Sequence, residues 1–149
     1  MKEIGNYMID TSLYYDPENL FWLRHNNGFV RIGFNPLLQE TSGSFVAIVF
    51  ENTDRTLSKG DTFGSVEAEK HVAQLVMPIS GKIVVFNEKV VQNPRLMNTD
   101  PYGEGWLAEI ECDQFNEQKD HLIYGAANIE KWMESEIAKY EDKGWIARP

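Results

Sequence analysis

Apolar and polar positions alternate with a two-residue period through the middle of the chain, which predicts strands rather than helices. Phe29-Val30-Arg31-Ile32-Gly33 alternates, and Phe45-Val46-Ala47-Ile48-Val49-Phe50 reads as a buried β run. Phe63 to Val66, Val72 to Val76, Ile83 to Phe86 and Trp106 to Ile110 add further short strands. Turn signals separate them: Asn26-Asn27-Gly28, Ser58-Lys59-Gly60-Asp61, Pro78-Ile79-Ser80-Gly81 and Pro101-Tyr102-Gly103-Glu104-Gly105. Asn35 can cap a short helix with Pro36 at its first position, and Asn93-Pro94-Arg95-Leu96-Met97 repeats that arrangement. Many short strands divided by such turns predict a mainly β sandwich or barrel.

The period changes in the last third. Ile129, Trp132, Met133, Ile137 and Tyr140 share one side of a helix spanning about 128–143, with Asn128 as its cap and Gly144 as its stop. Such an amphipathic stripe is a packing face before it is anything else. The tail from Trp145 to Pro149 either lies back on the body or stays loose. A weak internal echo relates Gly60-Asp61-Thr62-Phe63-Gly64-Ser65-Val66 to Ser80-Gly81-Lys82-Ile83-Val84. Two halves facing each other across a common core would bury both apolar faces.

Composition narrows the function classes. The chain has 149 residues, 42% hydrophobic and 25% charged, which suits one domain with a moderate core. A net charge of −9 argues against nonspecific nucleic-acid binding and favours docking onto basic partner surfaces. No apolar run approaches the roughly 20 residues of a membrane span, and the segment from Met1 to Tyr7 lacks an apolar signal core. Cys112 is the single cysteine, so no internal disulfide forms, as expected of a cytoplasmic protein. Its neighbours Glu111 and Asp113 give its thiol no reason for a lowered pKa.

One turn stands out chemically. Gly64 to Ala73 holds two β-capable runs around an acidic turn, with Lys70 at its tip and nothing local drawing that lysine into a core. On this stretch alone a solvated hairpin lysine is the simplest reading. His25, His71 and His121 match no zinc spacing. Glu67 and Glu69 straddle an open turn without a pocket to separate their pKa values, so a paired-carboxylate hydrolase is disfavoured. Gly103-x-Gly105 is too short for a phosphate loop. No self-contained active site emerges.

From about Trp22 to Ile110 the chain resembles the H proteins of the glycine cleavage system. Val66-Glu67-x-x-Lys70 matches that family's modified-lysine motif, and Pro78-x-Ser80-Gly81-x-x-Val84 with Asn87-Glu88 follows in register. Pro94-x-Leu96-x-Asn98-x-Asp100-Pro101-Tyr102-Gly103-Glu104-Gly105-Trp106-Leu107 is the most specific stretch. The resemblance implies a single lipoyl-carrier domain over 1–149, core about 20–112, built as an H-protein or lipoyl-domain-like barrel-sandwich hybrid with short helices and the C-terminal helix. It implies lipoic acid in amide linkage on Lys70, with Glu67 at the position the lipoylating enzyme recognises. Biotin hairpins resemble Met-Lys-Met, whereas Lys70 lies between Glu69 and His71. The implied protein is a carrier rather than an enzyme, and is expected to be monomeric because it must visit several partners.

Departures from the family pattern bear on the pathway. Leu20-Phe21-Trp22 stands where the family typically has His-Glu-Trp, and Asn35-Pro36-Leu37-Leu38 where it has a Thr-Asp-Tyr-Ala-like segment. Gly43-Ser44 replaces Gly-Asp or Gly-Glu, a proline is missing around Phe50-Glu51, and His71-Val72 replaces small residues. Placed on partner-facing surfaces, these changes point to the similar lipoate-binding proteins of cytoplasmic sulfur oxidation. Partners would then be a heterodisulfide-reductase-like complex and a flavin disulfide oxidoreductase, with the arm shuttling a sulfur intermediate and electrons. The alternative is an H protein carrying an aminomethyl group between glycine-cleavage enzymes. A scaffold or regulatory module that has lost its arm is the third reading.

Overall fold

In the computed structural model, which describes residues 1–52 and 54–146, all six predicted strands form, within antiparallel ladders that also include strands the pattern did not indicate. The strands are β1 (Lys2–Ile4), β2 (Tyr7–Ile9), β3 (Tyr14–Tyr15), β4 (Phe21–Asn26), β5 (Phe29–Phe34), β6 (Phe45–Phe50), β7 (Thr56–Leu57), β8 (Thr62–Ala68), β9 (Val72–Val76), β10 (Gly81–Phe86) and β11 (Ala108–Glu111). The helices are α1 (Gln39–Ser42), α2 (Glu88–Gln92), α3 (Leu96–Thr99), α4 (Phe115–Gln118) and α5 (Ala126–Asp142). One sheet has the order β3-β4-β5-β11-β10-β7, a second β6-β8-β9, and β1 and β2 form a separate hairpin. The result is the mainly β architecture with short helices and a C-terminal helix that the sequence predicts. β8 and β10, the strands of the internal echo, fall in different sheets and contribute to one core.

Local chemistry explains the connections. Asn27 and Gly28 both take positive φ (49° and 82°), so the two-residue turn between Asn26 and Phe29 matches the twist of β4 and β5. The Asn35 side chain accepts the Leu37 N–H at 3.0 Å and starts the short turn Pro36–Leu38 that leads into α1. Between the sheets lie Phe21, Leu23, Ile32 and Phe34 from one side and Phe45, Ile48, Phe63 and Val66 from the other.

A second apolar cluster lies on the other side of the six-stranded sheet. Ile129, Met133 and Tyr140 of α5 pack there with Ile4, Ile9, Leu13, Tyr15, Trp22 and Leu37, confirming the helix stripe as a packing face. The β1–β2 hairpin that supplies Ile4 and Ile9 has no strong strand signal, because each of its strands is only three residues long.

Three boundaries differ from expectation. α5 begins at Ala126 after Gly125, and the Asn128 side chain donates back to Tyr124 O at 3.1 Å instead of capping. Asn93 follows the end of α2, a helix the sequence pattern missed; that helix is capped by Asn87, whose side chain accepts the Lys89 N–H. α3 starts two residues beyond Pro94. β11 starts at Ala108 rather than Trp106, because the Trp106 carbonyl is taken by the Asn87 amide at 2.7 Å. At the C-terminal end Gly144 (φ 76°) ends α5, and Trp145 turns back edge-on to Tyr140 at 5.2 Å between ring centroids. Residues 147–149 of the tail lie outside the described residues.

Trp22 anchors the second cluster to the six-stranded sheet. It is fully buried, its Nε1–H donates to Pro101 O at 2.9 Å, and it stands opposite Gly33. A Cβ at position 33 would lie 2.4 Å from the indole ring. Gly33→Ala is therefore expected to destabilise the protein by about 1–3 kcal/mol through overpacking. Urea unfolding would read this as a lower midpoint at unchanged slope, and an unchanged midpoint would contradict the contact.

Candidate functional site

Lys70 stands at the tip of the β8–β9 hairpin. The Ala68 N–H donates to His71 O at 3.0 Å, closing a turn in which Glu69, Lys70 and His71 are exposed. Such a tight turn leaves the N–H groups of Glu69 and Lys70 outside the strand ladder. Both are satisfied by the end of α1 and the residues just after it: Glu69 N donates to Ser44 O at 3.0 Å and Lys70 N to Ser42 O at 3.1 Å. The Glu69 carboxylate in turn accepts the Ser44 N–H at 2.7 Å. Hydrogen bonding from Ser44, backbone first and then side chain, holds the Glu69 carboxyl below its usual range, with the positive charges of Arg95 and Lys70 assisting.

The segment holding the tip is itself held. Ser42 is buried and its hydroxyl donates to Leu38 O at 2.9 Å. Gly43 takes φ 74°, and a Cβ there would come within 3.3 Å of Glu69. From α3, the Asn98 side chain accepts the Phe45 N–H at 2.9 Å and donates to Gly43 O at 3.2 Å. The backbone of Lys70 is thus fixed, while its amine makes none of the ion pairs found among the described residues. A fixed backbone with a free, exposed amine fits covalent acylation.

Glu67 lies on the outward face of β8, in a row with Ala47 and Val72. It is exposed, three residues before Lys70. Below the β9 edge a cleft of about 220 Å³ is lined by Leu20, Phe21, Leu38, Ala73 and Gln74, among others.

Other residues singled out by the sequence have structural settings. His25 stacks on Phe115 at 4.5 Å and a His121 ring nitrogen pairs with Pro78 O at 2.8 Å, so neither joins His71. Burial pushes the Cys112 thiol up, and the Gln118 amide donates to it at 3.4 Å. The stretch from Asp100 to Trp106 is a brace rather than a ligand loop. Asp100 accepts the Glu104 N–H at 2.9 Å, Tyr102 hydrogen-bonds the buried Tyr15 hydroxyl at 2.8 Å, and Pro101 accepts from Trp22. Sequence reasoning named Ser44 and Asn98 but missed their roles and that of Glu69, because their partners are 25 to 55 residues away and follow no period. The local clue was a glycine ending α1 beside a polar residue.

The family described as glycine cleavage H-protein matches residues 13–136. The chain is 37% identical over 105 residues to a glycine cleavage system H protein of Mycolicibacterium gilvum, covering 70% of this chain and 80% of the relative. It is 35% identical over 115 residues to that of Carboxydothermus hydrogenoformans, covering 77% and 87%. The crystal structure of a glycine cleavage system H protein from Mycobacterium marinum superposes with a TM-score of 0.70 at 27% identity, covering 84% of this chain and 99% of the other.

The Glu69–Ser44 contact has a pH signature. A carboxyl with a lowered folded-state pKa supports the fold above its unfolded pKa and loses that support as pH falls through the folded value. The Ser44 amide resonance should therefore titrate with a midpoint below the usual glutamate range in an NMR pH series. A midpoint within that range would mean that the carboxylate is not bound there.

Proposed function

The chain belongs to the glycine cleavage H-protein family, and on that basis we propose that it is a covalently modified carrier whose Lys70 amine is acylated by lipoic acid. The observation that carries this reading is an exposed lysine amine on a backbone fixed by hydrogen bonds across its turn and to residues 42–44. The attached group would supply a dithiolane able to alternate between disulfide and dithiol. The chain supplies the mount. Its two-sheet body holds the attachment point still, so that partner enzymes meet the arm at high effective concentration. Glu67, exposed on the same strand, presents the lipoylating enzyme with a carboxylate at a set distance along β8 from the lysine.

The pathway reading follows the relatives, whose names are those of the glycine cleavage system. We take the chain to act as a single carrier domain and monomer in the cytoplasm, serving the partner enzymes of that system. No helix among the described residues is long and apolar enough to cross a membrane. The sulfur-oxidation reading finds no support in these relatives, and its basis in the sequence narrows. Phe21, Asn35 and Leu37 are buried, so these departures fill the core instead of facing a partner. Gly43-Ser44 and His71-Val72 alone lie at the lysine hairpin.

Mass spectrometry of protein purified from its native cell should find a lipoyl adduct on Lys70. An unmodified lysine there would favour the scaffold reading. In a reconstituted assay with glycine-cleavage partner enzymes, the lipoylated protein should support turnover. Lys70→Arg should fold normally and reduce turnover to background. If the lipoylated wild type supports no glycine turnover but serves a heterodisulfide-reductase-like complex, the pathway assignment moves to sulfur oxidation.

A further inference from the structure

A hairpin tip is ordinarily the least ordered part of a sheet, since the ladder ends before it. Here the tip is bonded to a segment from elsewhere in the chain. The contacts run in both directions: two backbone N–H groups of the tip donate to Ser42 and Ser44, and the Glu69 carboxylate accepts from Ser44. The bond to the carboxylate is charge-assisted and is the shortest of the three. Asn98 then holds the receiving segment with both ends of its amide, one on Phe45 N–H and one on Gly43 O.

We propose that Glu69 and Asn98 are positioning residues for Lys70, latching the hairpin tip onto the 42–45 segment so that the lysine is offered for acylation in one pose. The inference rests on the carrier reading above. Glu69 is exposed, so its side chain acts through this contact and not through the core. Asn98 is half-buried on α3 and acts on the tip only through the segment it holds. Acylation removes the Lys70 charge but leaves the Ser44 N–H and the Arg95 charge facing Glu69, so the latch holds before and after modification. A modifying enzyme that must bind the lysine in one conformation loses apparent affinity when that conformation is only partly populated.

Three variants of the full chain test this: Glu69→Ala, Glu69→Gln and Asn98→Ala. Two measurements apply to each: amide hydrogen exchange, and steady-state acylation by a lipoate ligase with lipoate and ATP. Glu69→Ala should speed exchange at Ser44 and Lys70 about tenfold while β4 and β5 amides stay unchanged. It should raise the ligase KM for the protein about five- to tenfold with kcat within about twofold. Glu69→Gln keeps an acceptor oxygen but loses the charge, and should fall between wild type and Glu69→Ala in both measurements. Asn98→Ala should shift the same amides and the same KM, although it lies away from the tip. Wild-type exchange in Glu69→Ala overturns the latch, as does Glu69→Gln behaving like Glu69→Ala. An unchanged KM in Asn98→Ala overturns the positioning role, because the Glu69 effect would then be direct contact with the ligase. If the wild type is not acylated at all, the carrier reading falls and the positioning role falls with it. Faster exchange in Glu69→Ala would then report a contact that serves the fold alone.

Discussion

Stacked phenylalanine rings join the two sheets, four of them in one buried row, and every feature of the site depends on that junction. Phe21 and Phe34 come from the six-stranded sheet, Phe45 and Phe63 from the three-stranded one. Phe34 stacks on Phe45 at 4.9 Å, Phe21 stacks on Phe34 at 5.6 Å, and Phe21 tilts against Phe63 at 6.1 Å. Each buried ring contributes on the order of 1.5–3 kcal/mol by leaving water. Without this row the three-stranded sheet would be a one-sided ribbon, which is marginal by itself. The lysine hairpin would then have no mount.

From that junction outward, order is passed on by hydrogen bonds. β8 leaves the core at Ala68, and the 42–45 segment receives the turn that follows. That segment is fixed on one side by α1 and on the other by Asn98 of α3. The hydrogen-bonded framework therefore extends to the Lys70 backbone and stops there. The proposed carrier role needs this division. A still attachment point lowers the entropy cost of docking, and a free side chain leaves the arm its reach.

The hairpins were legible because strand alternation and turn chemistry are local: Asn27-Gly28 and the flanks of Lys70 say what they form without knowing their neighbours. Helix ends were less so. Asn128 looks like a cap but donates to Tyr124 O, since the tertiary position of Gly125 had already set the first turn. Lys70 and Glu67 were visible as a spacing within one turn. The contacts of Ser44 and Asn98 were not, because their bonds to the hairpin region cross dozens of residues. The departures at Phe21, Asn35 and Leu37 were misread as surface changes for a related reason. A side chain's type does not say which face of a sheet it will join.

What the sequence determined by itself is the central strands, the C-terminal helix and the exposed lysine turn. Period-two runs, turn residues and the Val66-Glu67-x-x-Lys70 spacing are short-range properties, and short-range sterics and hydrogen bonding decide them. What only the tertiary structure decided is which loop meets which. The junction of the two sheets, the covering of Trp22 by α5 and the N-terminal hairpin, and the docking of Glu69 on Ser44 all join residues remote in the chain. Packing selects those pairs, because burial is gained only when whole faces close on one another.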